Sequence, residues 1–271
     1  MNHIVNNRQL WFIPVVNPDG YVYNESIAPG GGGMHRKNKF PNGCSGYDVG
    51  VDLNRNYSYF WAFDDIGSDP NACGQTYRGV SPESESEIQS VTDFAEDHEF
   101  KLALNYHSYG NLFIHPFGYL PGEYPPEPDL SLFREYGDEM TKYNNYLMGT
   151  GIETVGYTVN GEACDWMYGE HGIYAYTPEV GASSDGFWPA TIRIIPLAEE
   201  NLFPYLGIEN PDWLYGYNGI NDGSASLELR LRDMVKLGQL YLQDGFSGEN
   251  QILSTEYIDQ ATSYQLNTGM G

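Results

Sequence analysis

Apolar and polar positions along this chain switch between a strand-like and a helix-like period. Leu10–Val16 (LWFIPVV) is a short continuous apolar run that ends at Asn17-Pro18-Asp19-Gly20, which predicts a buried strand entering a turn. Residues 24–50 are loop-like, with four consecutive glycines at Gly30–Gly33. Ser81-Pro82-Glu83 carries the N-cap, first-turn proline and acid of a helix start, and the helix is predicted to reach Asp97. Strands are predicted over Phe100–Tyr106, Leu112–Phe117 and Ile173–Thr177. Helices are predicted over Leu130–Leu147 and Ile192–Tyr205, with Leu132, Phe133, Tyr136, Met140 and Tyr143 on one stripe of the first. Strands and helices alternate, so the fold class is α/β with a largely buried sheet. After about Ile208 the composition shifts: residues 211–225 are turn-rich, Leu227–Leu242 reads as an amphipathic helix, and a short helix is predicted from Ser254.

Composition narrows the function. Lys and Arg total 13 against 37 Asp and Glu, a formal net charge of −24 in 271 residues. Such a balance excludes the basic footprint of a nucleic-acid binder and disfavours anionic membrane surfaces. With 41% apolar and 15% aromatic residues the chain is globular rather than disordered. No segment approaches the roughly 18 consecutive apolar residues of a membrane span, and the first residues do not read as a signal peptide. Cys44, Cys73 and Cys164 are the three cysteines, allowing at most one bridge and one free thiol.

Three polar clusters stand where elements end. Arg36, Lys37 and Arg55 fall close together beside Asn38, Asn54 and Asn56, although bases are scarce. Guanidinium groups with adjacent amide donors suit a carboxylate or oxyanion; the structural alternative is loop arginines paired with the abundant acids. His107 follows a predicted strand at its carboxyl end, where open α/β sheets place ligands; it is a metal ligand, a base or a satisfied core histidine. Glu179 follows an apolar and aromatic strand, where a carboxylate has a raised pKa and suits general base work, or instead pairs with an arginine.

In order, WFIPVVNPDGY, HRKN, VDLNRN, TYRG, NYHSYGNL, PFGY, Tyr157 and the CDW…GIYAYTPEVG segment resemble the zinc carboxypeptidases of the carboxypeptidase A type, over roughly residues 8–206. The resemblance implies a mixed, mostly parallel twisted sheet flanked by helices, with one zinc ion. By the same resemblance His107 matches a zinc ligand, and Glu179 the base that activates the zinc-bound water. Arg36 matches the oxyanion donor, Asn54 and Arg55 the pair that grips the terminal carboxylate, and Tyr157 the mobile tyrosine that closes over it. Tyr109 matches a subsite residue, and Cys164 the floor of the terminal side-chain pocket. Glu162 lies near that pocket, so apolar and basic terminal residues are both expected to enter. Cys44 and Cys73 match a region where family members carry a disulfide, the alternative being two free thiols. A bridge would imply a secreted or periplasmic location. The implied partners are peptide or protein C-termini, and a monomer is expected.

Two departures accompany the resemblance. The family's remaining zinc ligands form a His-x-x-Glu motif, and none of the six histidines is followed by Glu three residues later. A catalytic zinc takes about three protein ligands, and this chain retains one. The reading is therefore a fold incomplete at its N-terminus, with weak zinc affinity and little activity alone. The second departure is the tail. Residues 1–206 read as a partial zinc carboxypeptidase domain, and 207–271 as a partial segment resembling serine β-lactamases and penicillin-binding proteins, without their Ser-x-x-Lys motif. The competing functions are a metallocarboxypeptidase, a non-catalytic binder of peptide C-terminal carboxylates, a β-lactamase-like hydrolase fragment and, last, a two-carboxylate glycosidase, which leaves Arg36, Asn54 and Arg55 unexplained.

Overall fold

The computed structural model describes residues 9–201 and the short strand residues 212–213, 227–228, 246–247 and 250–251. The chain divides into two compact units, one of Pro14–Arg193 and one of Met1–Ile13 with Ile194–Gly271.

The larger unit is built on a four-stranded sheet. In chain order its strands are β1 (Leu102–Leu104), β2 (Leu112–Ile114), β3 (Leu147–Gly149) and β4 (Tyr174–Glu179). Their order in space is β1-β4-β2-β3. The β1–β4 and β2–β3 pairs are parallel and the β2–β4 pair antiparallel, so the sheet is mixed and mainly parallel. Its helices are α1 (Pro18–Ile27), α2 (Ser86–Glu96), α3 (Asp129–Thr141), the single turn α4 (Gly151–Thr154) and α5 (Ala163–His171). Alternation along β4 divides the core. Ala175 enters a cluster with Ile88 and Ala95 of α2 and with Cys164, Trp166 and Met167 of α5. Its neighbour Tyr176 enters an aromatic cluster with Phe113, Phe133 and Tyr168. Successive strand residues face opposite sides, so β4 joins two cores.

Several predicted elements take a different form. Leu10–Val16 is not a strand: residues 9–17 are irregular, with Phe12 72% exposed. An apolar run becomes a strand only where neighbours take its backbone groups, and no strand pairing among the described residues includes it. The Asn17-Pro18-Asp19-Gly20 turn is instead the start of α1. Asn17 is the N-cap, its side chain accepting from the Gly20 N–H at 2.9 Å, with Pro18 and Asp19 in the first turn.

The helix expected from Ser81 begins five residues later, at Ser86. Asn56 explains the delay. Its Nδ2 donates to the carbonyls of Arg78 and Ser81, and its Oδ1 accepts from the Glu85 N–H. Glu83 lies in the left-handed region at φ 54°, which a continuous helix excludes. The helix predicted over Leu130–Leu147 stops at Thr141, and Leu147 opens β3 instead. The reversal between them passes through Asn145 at φ 54°, a conformation asparagine tolerates.

The larger unit ends in a 3₁₀ turn over Thr191–Arg193, and the smaller unit holds α6 (Ile194–Asn201), the latter inside the range predicted for a helix. The strands β5 (Asp212–Trp213) and β6 (Leu227–Glu228) pair antiparallel, as do β7 (Phe246–Ser247) and β8 (Asn250–Gln251). The start of the helix predicted over Leu227–Leu242 is therefore a strand residue pair. The rest of that helix, the one from Ser254 and the end of the Ile192–Tyr205 helix lie outside the described residues.

Candidate active site

Helix α1 anchors the segment that carries Arg36. Asn17 Nδ2 donates to the Arg36 and Lys37 carbonyls, at 3.2 and 3.1 Å. Asn24 holds both backbone groups of His35 at 2.8 Å each. Gly20 is required beside it, since a Cβ there would come within 2.7 Å of the Lys37 carbonyl. Lys37 is fully buried, its Nζ donating to the carbonyls of Asp48, Ala72 and Gly74. Cys73, between the last two, is bonded to Cys44 in a disulfide. Three carbonyls satisfy an ammonium that burial would otherwise make costly.

Arg36 and Arg55 meet at Asp52. Arg36 Nε donates to Asp52 Oδ2 at 2.7 Å, and Arg55 Nη1 lies 3.9 Å from the same oxygen. Asp52 and Arg55 are buried, whereas the Arg36 side chain is 40% exposed. The two guanidinium groups hold the Asp52 carboxyl below its ordinary value despite burial. Burial lowers the Arg55 pKa, and Arg36 adds to the lowering. Arg55 Nη1 also donates to the Asn54 carbonyl at 2.7 Å, while its Nε–H is buried with no acceptor. A buried cationic donor without a partner is a costly arrangement that an incoming anion relieves. Asn54 Oδ1 accepts from the Ala163 N–H at 3.0 Å, at the start of α5. The Tyr157 ring is 53% exposed and within electrostatic reach of both arginines.

His107 and Glu179 are placed by the sheet and lie within electrostatic reach of Arg36. Beyond β1 the chain stays in register with β4: the His107 N–H donates to the Pro178 carbonyl and the Val180 N–H to the His107 carbonyl, each at 2.9 Å. That bridge sets His107 beside Glu179, with Nδ1 3.9 Å from Oε1. Burial pushes the Glu179 carboxyl up to about 7, opposed by Arg36 and assisted by Glu162. Burial and then Arg36 push His107 down to about 4, so its imidazole is neutral at pH 7.

Of the remaining predicted residues, Glu162 lies within electrostatic reach of Arg55 and Glu179. Glu162 is buried and pushed up to about 7 by burial, with Arg55 opposing. A side chain at Gly118 would collide with its Oε1. Cys164 is buried between α5 and β4, its thiol donating to the Ala175 carbonyl at 3.1 Å. Tyr109 is half-buried and meets Phe187 edge-on, ring centres 4.8 Å apart.

The sequence reading missed the anchoring roles of Asn17, Asn24, Lys37 and Asp52. Their signal was present in the unusual density of Asn around scarce bases. Among the described residues no group of three His, Cys, Asp or Glu side chains comes together to hold a metal ion. The donors present thus do not by themselves make a zinc site.

The pattern of the zinc carboxypeptidase family matches residues 1–203. Carboxypeptidase A4 of Mus musculus is 34% identical over 212 residues, covering 76% of this chain and 48% of the relative. Mast cell carboxypeptidase A of Homo sapiens is 33% identical over 172 residues, covering 62% and 40%. This chain therefore spans about half the length of the relatives it matches. Among solved structures, bovine thrombin-activatable fibrinolysis inhibitor in complex with tick carboxypeptidase inhibitor aligns with TM-score 0.59 at 30% identity, covering 69% of this chain and 63% of that one. Carboxypeptidase A of Helicoverpa armigera aligns with TM-score 0.55 at 28% identity, covering 65% and 43%. Together with the mixed sheet and the order of the polar clusters along it, these matches establish that the chain belongs to the zinc carboxypeptidase family.

Proposed function

We propose that this protein is a metallocarboxypeptidase that removes the C-terminal residue of peptides, reading the chain end by its free carboxylate. The observation that carries this is Arg55, a buried cation whose Nε–H has no acceptor, beside Asn54 and within reach of Tyr157. A terminal carboxylate supplies the missing acceptor in charge-assisted bonds. Arg36, partly exposed, donates to the scissile carbonyl oxygen as it becomes an oxyanion in this reading. Glu179, with a pKa near 7, takes a proton from the attacking water and returns it to the leaving amine. His107, neutral at pH 7, is the residue assigned to the zinc of this family, and it is one ligand where three are needed.

Cys164 and Glu162 set the terminal side-chain preference in this reading, a small neutral group and a buried acid together admitting apolar and basic residues. Tyr109 lines the cleft on the side of the preceding residues. The Cys44–Cys73 disulfide fits a secreted or periplasmic protein. Among the described residues no helix is long and apolar enough to cross a membrane. We keep the monomer as the expected state, with peptide or protein C-termini as partners and neither nucleic acid nor membrane.

A second reading, a binder of peptide C-termini that does not cleave, is favoured by one observation: no three-ligand metal group among the described residues. Residues 207–271 lie outside the family match, and the chain has no Ser-x-x-Lys for a β-lactamase-like reaction. One experiment separates the readings. The protein is mixed with zinc and a peptide ending in Phe or Lys, as free acid or as C-terminal amide, and both binding and release of the last residue are followed. Cleavage of the acid alone supports the peptidase. Binding of the acid without cleavage supports the binder. Equal behaviour of acid and amide overturns both.

A further inference from the structure

We propose that Asp52 is a positioning residue that fixes the distance between the two arginines, and thereby which peptide bond the site presents for attack. This rests on the carboxylate-reading function proposed above. Arg36 and Arg55 share one oxygen of Asp52, Oδ2, at 2.7 and 3.9 Å. The other oxygen accepts from the Asn54 N–H at 3.2 Å, and the Asp52 N–H donates to the Tyr77 carbonyl at 2.8 Å. The carboxylate is therefore fixed to the backbone of the turn that carries Asn54 and Arg55. It reaches across to Arg36, which belongs to a different segment, 19 residues before Arg55. Two guanidinium groups repel, and a buried carboxylate between them is what holds both in place.

In the function proposed above, Arg55 reads the terminal carboxylate and Arg36 the carbonyl of the last peptide bond. The spacing that Asp52 sets between them then selects how many covalent bonds separate those two groups in the substrate. Asp52 touches neither group of the substrate and acts through both arginines. Loosening it should weaken the discrimination between a carboxylate at the right distance and one a methylene further away.

The test compares N-acetyl-L-phenylalanine with N-acetyl-L-β-homophenylalanine, whose carboxylate is one methylene more distant, by titration calorimetry on the full chain. The wild type is expected to prefer the first at least tenfold, and Asp52→Asn to reduce that preference below threefold. The ratio is the readout, because a general loss of structure lowers both affinities without equalising them. A folded Asp52→Asn protein that keeps the wild-type preference overturns the positioning role while leaving the carboxylate site intact. Wild-type protein that binds neither acid, or binds N-acetyl-L-phenylalaninamide equally well, overturns the carboxylate reading instead. If Asp52→Asn fails to fold, exchange of the Arg36 Nε proton with solvent in the wild type decides the matter by NMR. Held by Asp52, it is expected to exchange at least tenfold more slowly than that of the exposed Arg134. Equal rates overturn the proposal.

Discussion

Asn54 Oδ1 accepts the backbone N–H of Ala163 at 3.0 Å, tying the Asp52–Arg55 turn to the first residue of α5. Because the oxygen is committed to Ala163, the amide nitrogen is the end that the proposed clamp uses as a donor. Asn54→Asp keeps an acceptor for Ala163 and replaces that donor by a negative charge. We expect its melting temperature to stay close to wild type. Its affinity for N-acetyl-L-phenylalanine should fall at least tenfold, a loss of about 1.5–3 kcal/mol for a charge-assisted hydrogen bond. Calorimetry beside a thermal melt checks both halves; unchanged affinity would remove Asn54 from the clamp.

Replacing Arg55 should be more severe. Arg55→Met removes the buried donor with the unmet Nε–H. Carboxylate affinity should drop by a factor of about 10 to 100 or more, since bidentate guanidinium contacts are among the strongest hydrogen bonds. Arg55→Lys should not restore it, because an ammonium lacks the planar fork. Full rescue by lysine would show that charge alone suffices.

Glu162 makes stability depend on pH in an unusual direction. Its ordinary value is 4.5 and burial pushes it up to about 7 in the fold. The folded protein therefore keeps a proton that the unfolded chain has lost. Stability from this group is fully present below about pH 4.5, falls as pH rises to about 7, and is level above that. The loss is at most about 3 kcal/mol, from the roughly 1.4 kcal/mol that accompanies each pH unit of displacement. Glu162→Gln should abolish that part of the slope and make the protein more stable at pH 8. Urea unfolding at pH 5 and pH 8 is the measurement, and identical slopes for variant and wild type would refute it.

Reduction of the Cys44–Cys73 disulfide should reach the site through Lys37. The bond closes a loop of 29 residues in sequence separation, and its loss should cost about 3–4 kcal/mol of stability. Lys37 Nζ holds the carbonyls of Ala72 and Gly74, on either side of Cys73, and its own backbone adjoins Arg36. Carboxylate affinity should therefore weaken on reduction under conditions where the protein remains folded. Unfolding curves and calorimetry with and without dithiothreitol would show it.

Much of the sheet was legible in the chain because its signals are local. Phe100–Tyr106, Leu112–Phe117 and Ile173–Thr177 each contain or overlap an observed strand, since their apolar runs are bounded by polar or turn residues. The Leu130–Leu147 pattern outruns its helix, because Tyr143 and Leu147 keep the apolar period past Thr141, where the helix ends before the reversal at Asn145. The Asn17-Pro18 step was read as a turn although the same residues serve as N-cap and first helical residue; local chemistry alone does not choose between them. Leu10–Val16 carries a strand pattern, but a strand also needs partners, and pattern does not supply them.

The sequence by itself determined the types of groups available: two arginines and an amide suited to a carboxylate, one histidine, and a glutamate after an apolar strand. These follow from side-chain chemistry and from their places at element ends. Only the tertiary structure decided which of them meet. The bridge between His107 and Glu179 depends on parallel pairing of β1 with β4, which joins segments some 70 residues apart. The meeting of Arg36 with Arg55 depends on a carboxylate held at a buried turn and on asparagines of α1 that fix a backbone far along the chain. Burial, which raises Glu179 and Glu162 and lowers His107, is likewise a property of the packed molecule, because it arises from solvent excluded by residues distant in sequence.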